Sequence, residues 1–160
     1  MAVLFLLLGG NLGDKSRIFT EARKLLRSLV GEITALSGIY ETEPWGFESD
    51  DLFWNQAIKL STPLSPEEVL AATQSTELAL GRIRKETQYI SRPIDIDILF
   101  FDDRIVKSDK LIIPHPRIQE RRFVLVPLAE IAPSLQHPVL RKSMSELLAE
   151  CPDLLKVTRL

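Results

Sequence analysis

The sequence predicts an α+β fold: a ferredoxin-like, split β-α-β-β-α-β order in which an antiparallel sheet carries helices packed on one face. Three observations predict it. Strand-like alternation and helical periodicity follow one another in that order through residue 101. Two long polar stretches, 41–51 and 82–93, punctuate the order and would sit over one cleft. The 160 residues, 45% hydrophobic and 26% charged, suit a single domain spanning 1–160.

The elements follow in turn. Val3 to Leu8 is an apolar first strand, and Gly9 to Gly13 a turn, after which Asp14 can cap a helix. Ile18, Ala22, Leu25, Leu26 and Leu29 recur at helical spacing, carrying that helix to about Val30. Glu32 to Tyr40 is the second strand and Phe53 to Leu60 the third. Ser65-Pro66-Glu67-Glu68 combines a Ser cap, Pro at the first helical position and Glu closing a capping box, and Gly81 ends the helix after Leu80. The fourth strand begins at Asp95. Beyond Lys110, five prolines from Pro114 to Pro138 predict short helices and turns wrapped on the sheet, then a last helix near Ser143 to Glu150. There is no repeat, low-complexity tract or linker.

Composition narrows the function. A net charge of −2 and a pI of about 5.8 argue against a nucleic-acid surface. Cys151 is the single cysteine, which excludes an internal disulfide and a cysteine-based zinc site and fits a reduced, cytoplasmic setting. The apolar run Ala2 to Leu8 is far too short to span a bilayer and has no basic segment before it, so it reads as a buried strand with no membrane role.

The richest segment is Arg92-Pro93-Ile94-Asp95-Ile96-Asp97-Ile98. On a strand, Asp95 and Asp97 share one face with Cα atoms roughly 7 Å apart, while the isoleucines share the other. Converging carboxylates suit a hard cation such as Mg²⁺ with a phosphate. Alternation alone suits a solvated sheet face equally well. The surrounding bases tip the balance: Arg82, Arg84, Lys85 and Arg92 precede the pair, and His115, Arg117, Arg121 and Arg122 follow it. Acids that hold metal, flanked by bases that neutralise phosphate oxygens, are the apparatus of phosphoryl transfer.

Other motifs are weaker. Gly9 to Ser16 fails as a phosphate-binding loop because Asp14 separates Gly13 from Lys15, leaving a tight turn as its role. Asn55 shares strand parity with Phe53 and Ala57; a structural amide is the default, and pairing with a flat heterocycle is the alternative. Phe53 and Phe123 read first as core, and a ring clamp is the less common outcome. Gln74 and Glu77 share a helix face and read as solvent-exposed. His115, held between two prolines, is a surface turn residue by default, and Arg121 six residues on makes phosphate contact plausible. His137 reads as structural.

GGNLGD near the start, ETEPWG at 41–46, FWNQA at 53–57, LGRIR at 80–84, RPIDIDIL at 92–99 and HPRIQERRFVLVPLAEIAP at 115–133 closely resemble the 6-hydroxymethyl-7,8-dihydropterin pyrophosphokinase family. The resemblance implies a ferredoxin-like enzyme of folate biosynthesis that moves the diphosphate of ATP onto the pterin's hydroxymethyl oxygen and releases AMP. It implies that Asp95 and Asp97 bind two Mg²⁺ ions, with Arg82 and Arg92 meeting phosphates as a loop closes. Gln74, Glu77, Arg84, Ile98, Lys110, His115 and Arg121 would line the nucleotide site. Thr42, Trp45, Phe53, Asn55 and Phe123 would hold the pterin, the two phenylalanines stacking on it. Lys110 stands where an arginine is frequent, keeping the charge without the bidentate fork. A cytoplasmic monomer is implied as well. A nucleotidyl transferase, a small-molecule-sensing domain and an RNA-binding module are the competing classes; the last would want aromatics where this sheet face carries acids.

Overall fold

The computed structural model describes residues 1–43, 52–81 and 93–160. The predicted loops at 41–51 and 82–93 therefore lie largely outside the described residues, and Trp45, Arg82, Arg84 and Arg92 with them.

The sheet is built on β1 (Ala2–Gly10), a central strand because Leu4 to Leu8 are buried on both of its faces. It pairs antiparallel with β4 (Phe53–Thr62) on one side and β5 (Asp95–Phe101) on the other. The second predicted strand is divided. β2 (Glu32–Leu36) and β3 (Tyr40–Thr42) both pair with β4, in registers that differ by a residue. The break falls at Ser37-Gly38-Ile39, where the Ser37 hydroxyl accepts from the Ala57 N–H at 2.9 Å and so substitutes for a ladder bond. β3 also runs to Thr42, two residues into the stretch expected to be loop. The short β8 (Thr158–Arg159) adds itself to the free edge of β3. The strand order β5-β1-β4-β2/β3 is that of the split βαβ arrangement. A separate two-stranded ribbon joins β6 (Val106–Lys107) to β7 (Ile112–Ile113).

Two helices cover one face, as expected. α1 (Lys15–Leu29) starts at Asp14, whose carboxylate accepts from the Arg17 N–H at 3.1 Å. α2 (Pro66–Ala79) starts at a full capping box between Ser65 and Glu68. Between them and the sheet lie Leu4, Leu6, Leu8, Phe19, Leu26 and Ile58, with Ile94, Ile96 and Ile98 from the segment leading through β5.

The opposite face, expected to stand free, is covered over part of its area. After a 3₁₀ turn at Ile118–Glu120, α3 (Arg122–Ile131) and α4 (Met144–Glu150) pack there against Phe5, Ala57, Leu99 and Phe100. α3 carries Pro127 inside it. The missing N–H costs one helical bond, but the ring is buried with Val124, Leu125 and Leu128, and that burial offsets the loss. The short helices and turns expected in this proline-containing stretch are present, with the last helix within the expected Ser143 to Glu150. The layers are thus helix, sheet, helix, with the second helical layer stopping short of the strand ends that carry Asn55 and Asp95.

His137 is a buried member of this second layer, and its pKa is held below the ordinary 6.5 by burial. Its Nδ1 accepts from the Val139 and Leu140 N–H groups at 3.2 and 3.1 Å, and its ring meets Phe100 edge-on at 5.6 Å. Because the folded pKa is the lower, the unfolded chain binds the extra proton first. Stability from this group is complete above pH 6.5 and is lost as pH falls from 6.5 toward the folded value. The melting temperature should therefore fall on going from pH 7 to about pH 5.5. In His137→Asn, whose amide oxygen can replace Nδ1 as acceptor, that slope should be shallower. Equal slopes in the two proteins would exclude the histidine as its source.

Candidate active site

The site is laid out by register. Across the face that bears α3 and α4, Asn55, Gly9 and Asp95 form one row on β4, β1 and β5, and Ala57, Leu7 and Asp97 form the next. The three isoleucines anchor β5 on the far side, so Asp95 and Asp97 project together. At the middle of the first row Gly9 has no side chain; a Cβ there would stand 3.0 Å from the Asn55 Oδ1. The hollow between amide and carboxylate exists because that position is bare. Gly10 has a related role: a Cβ there would lie 2.3 Å from the backbone oxygen of Pro93. These two glycines end a strand and admit close neighbours, and they do not form the turn that the sequence suggested.

Above the rows lies a cavity of about 200 Å³. Asp95, Asp97, Asn55 and Gly9 line its floor and Thr42, Phe53 and Phe123 its sides, with Arg121 at its border. Asn55 and Thr42 are buried polar residues. Arg121 precedes the first turn of α3, with its guanidinium 5.7 Å from the centre of the Phe123 ring, a cation–π arrangement that orients both.

Asp97 also lines a second cleft of about 260 Å³, with Ile98, Lys110 and His115. A third, of about 580 Å³, continues past Lys110 to the exposed Gln74. Asp97 is the residue that the cavity and the second cleft share, and Lys110 is shared by the two clefts. His115 is half-buried, its backbone N–H donating to the Leu99 carbonyl at 3.1 Å. Its Nδ1 accepts from the Arg117 N–H at 3.2 Å, so the neutral ring carries its proton on Nε2. Burial lowers its pKa, Arg121 and Arg117 add to that, and Asp97 opposes it.

Glu77 departs from the solvent exposure read for its helix face. It is buried, and its carboxylate accepts from the Ile96 N–H at 2.8 Å, satisfying an outer-edge donor of β5 between the two aspartates. Glu43 and Leu155 also line the first cavity, and neither was singled out from the sequence. The tail carries no local signal for this: exposure alternates from Cys151 to Val157 in the structure, as in an extended segment with one face covered, but Leu154 and Leu155 are adjacent and equally apolar in the sequence. Among the described residues no group of three or more His, Cys, Asp or Glu is placed to hold a metal ion. A carboxylate pair fits Mg²⁺, which is commonly held by one or two carboxylates with substrate phosphates completing its shell.

Comparison with known proteins shows the family to which this fold and site belong. Residues 5–133 match the family described as 7,8-dihydro-6-hydroxymethylpterin-pyrophosphokinase (HPPK), and the chain belongs to that family. It is 45% identical over 141 residues to the 2-amino-4-hydroxy-6-hydroxymethyldihydropteridine pyrophosphokinase of Porphyromonas gingivalis, which covers 86% of this chain and 95% of the relative. The Aquifex aeolicus protein of the same name is 37% identical over 146 residues, covering 91% and 90%. A crystal structure of a Plasmodium falciparum HPPK-DHPS triple mutant superposes with a TM-score of 0.77 at 17% identity, over 93% of this chain. That likeness concerns the fold alone, and this chain spans 43% of that longer one.

If bare positions hold the floor in shape, Gly10→Ala should displace Pro93 and with it the start of β5. The expected result is a loss of turnover of about a hundredfold, since small misplacements of reacting groups are costly. A variant with wild-type turnover would show that the approach of Pro93 is incidental.

Proposed function

We propose that this chain transfers the diphosphate of ATP to the hydroxymethyl oxygen of 6-hydroxymethyl-7,8-dihydropterin, releasing AMP, as a step in folate biosynthesis. The observation that carries the reading is the position of Asp97, which lines both the cavity and the cleft that holds Lys110 and His115. Two substrates seated in these spaces would bring their reacting groups together beside one carboxylate pair.

The roles follow from what lines each space. Phe53 and Phe123 stack on the flat pterin, and the Asn55 amide and Thr42 meet its ring donors and acceptors. Trp45, outside the described residues, joins them by family resemblance. The nucleotide occupies the clefts, with Gln74, Lys110 and the Ile98 segment along it. Arg121 and Lys110 offset phosphate charge, and His115 offers its Nε2–H as a directional donor. Arg82, Arg84 and Arg92, also outside the described residues, are assigned to the nucleotide and its phosphates. Glu77 acts at one remove, by holding the Ile96 amide and thus the spacing of Asp95 and Asp97.

Asp95 and Asp97 would hold Mg²⁺, two ions on this reading, which when bound neutralises triphosphate charge and makes the attacking hydroxyl more acidic. In the reaction, the hydroxymethyl oxygen bonds to the β-phosphorus, the bond from that phosphorus to the AMP oxygen breaks, and the hydroxyl proton leaves to solvent. In-line placement is most of the task, and the walls described above supply it. The chain works as a single domain and a monomer. The lone Cys151 fits the reducing cytoplasm, and no described helix is long and apolar enough to cross a membrane.

Incubation with Mg²⁺, ATP and the dihydropterin, followed by nucleotide separation, should yield AMP only when pterin is present. ADP, or pyrophosphate as the released product, would refute the assignment. Asp97→Asn should lower turnover by about a thousandfold or more, as expected where transition-state charge stabilisation is lost. Its melting temperature should be unchanged or higher, because two like charges no longer face each other. Near-normal turnover in this variant would remove Asp97 from the chemistry.

A further inference from the structure

The chain beyond Ile131 contributes a wall to the cavity. After α4, residues 153–159 cross from the start of α3 to the free edge of β3, tied down at both ends. At the first, the two carboxylate oxygens of Asp153 take separate partners: Oδ2 accepts from the Arg122 N–H and Oδ1 from the Leu155 N–H, each at 3.0 Å. At the second, Thr158 and Arg159 pair with Glu41 and Tyr40, and the Leu160 N–H donates to the Ile39 carbonyl at 2.9 Å. Gly38 makes room there, since a Cβ would stand 2.6 Å from the Arg159 Nε. Glu130 gathers the junction by accepting from the Tyr40 hydroxyl at 2.6 Å, from the Gly38 N–H and from Arg159.

Between these anchors Leu155 turns into the cavity while its neighbour Leu154 is 90% exposed. Arg122, whose N–H Asp153 holds, is flanked by Arg121 and Phe123, two other cavity residues. We infer that Leu155 is a specificity-determining residue for the dihydropterin and that Asp153 is a positioning residue for it and for the first turn of α3. This rests on the pterin assignment made above. Its distinguishing property is locality. Leu155 lines the cavity and neither cleft, so its effect falls on the heterocycle and not on the nucleotide.

The test is equilibrium binding of 6-hydroxymethylpterin to the full chain in saturating magnesium α,β-methylene-ATP, with binding of that nucleotide analogue measured separately. Leu155→Ala should weaken the pterin about tenfold, the scale of lost methylene contacts in an apolar pocket. It should leave the nucleotide within about twofold of wild type. Leu155→Met, similar in volume, should recover most of the loss. Asp153→Ala should weaken the pterin selectively too, with Asp153→Asn, which keeps one acceptor oxygen, in between. Wild-type pterin affinity in Leu155→Ala would overturn the inference, as would parallel weakening of both ligands with a fall in melting temperature. A wild-type chain that binds no pterin would sink the assignment itself, and this inference with it.

Discussion

Asp95 and Asp97 repel one another, and the sheet holds them side by side regardless. At a separation of roughly 5 Å and an effective dielectric near 20, two carboxylates oppose each other by about 3 kcal/mol. Against this stand Ile94, Ile96 and Ile98, all buried, whose burial is worth about 1.5–3 kcal/mol each. The isoleucines win, and they fix the parity of the strand while doing so. A slip of one residue would expose all three and drive both carboxylates into the core, so the register cannot drift. Stability on one face thus fixes two like charges side by side on the other.

The same strand shows how the two faces are kept distinct. The register of β5 with β1 shifts between Phe5 and Leu6, so that Leu99 and Phe100 both enter the core under α3 and α4. Beyond the shift the aspartates lie on this same face, where the helical layer has ended. That layer therefore stops where the site begins, leaving space over Gly9 and not a filled core. Cavity, carboxylates and amide are all set out by the pairing of one nine-residue strand with two neighbours.

Much of this was legible in the residues. Period-two alternation marked Asp95 and Asp97 as a pair on one face, and the Asn55–Phe53–Ala57 parity held because nothing interrupts β4. Ser65 and Glu68 announced α2. Other features depend on distant partners and leave no local trace. Gly9 looked like a turn residue because its role is set by Asn55 and Asp95 in neighbouring strands. Glu77 looked solvent-exposed because its partner is a backbone amide nineteen residues away. Short helices were expected here, but the bounds of α3 were not legible, because Pro127 is favourable inside it only once a sheet face is present to bury the ring. Leu155 was missed for the same reason, since nothing in the sequence separates it from its neighbour Leu154, which is exposed.

The donor side chains at the site are of two kinds, and the difference bears on what the site can do. Arg121 and Lys110 carry permanent charge at the borders. His115 is the more enclosed group, and burial together with Arg121 and Arg117 holds it neutral against the pull of Asp97. A third full charge there would be costly to desolvate and redundant beside the arginine. A neutral imidazole with Nδ1 already engaged has one N–H left and therefore one direction in which to donate. On the function proposed above, the site would combine diffuse charge, which attracts a polyanion from a distance, with a single aimed donor that discriminates among the orientations in which it arrives.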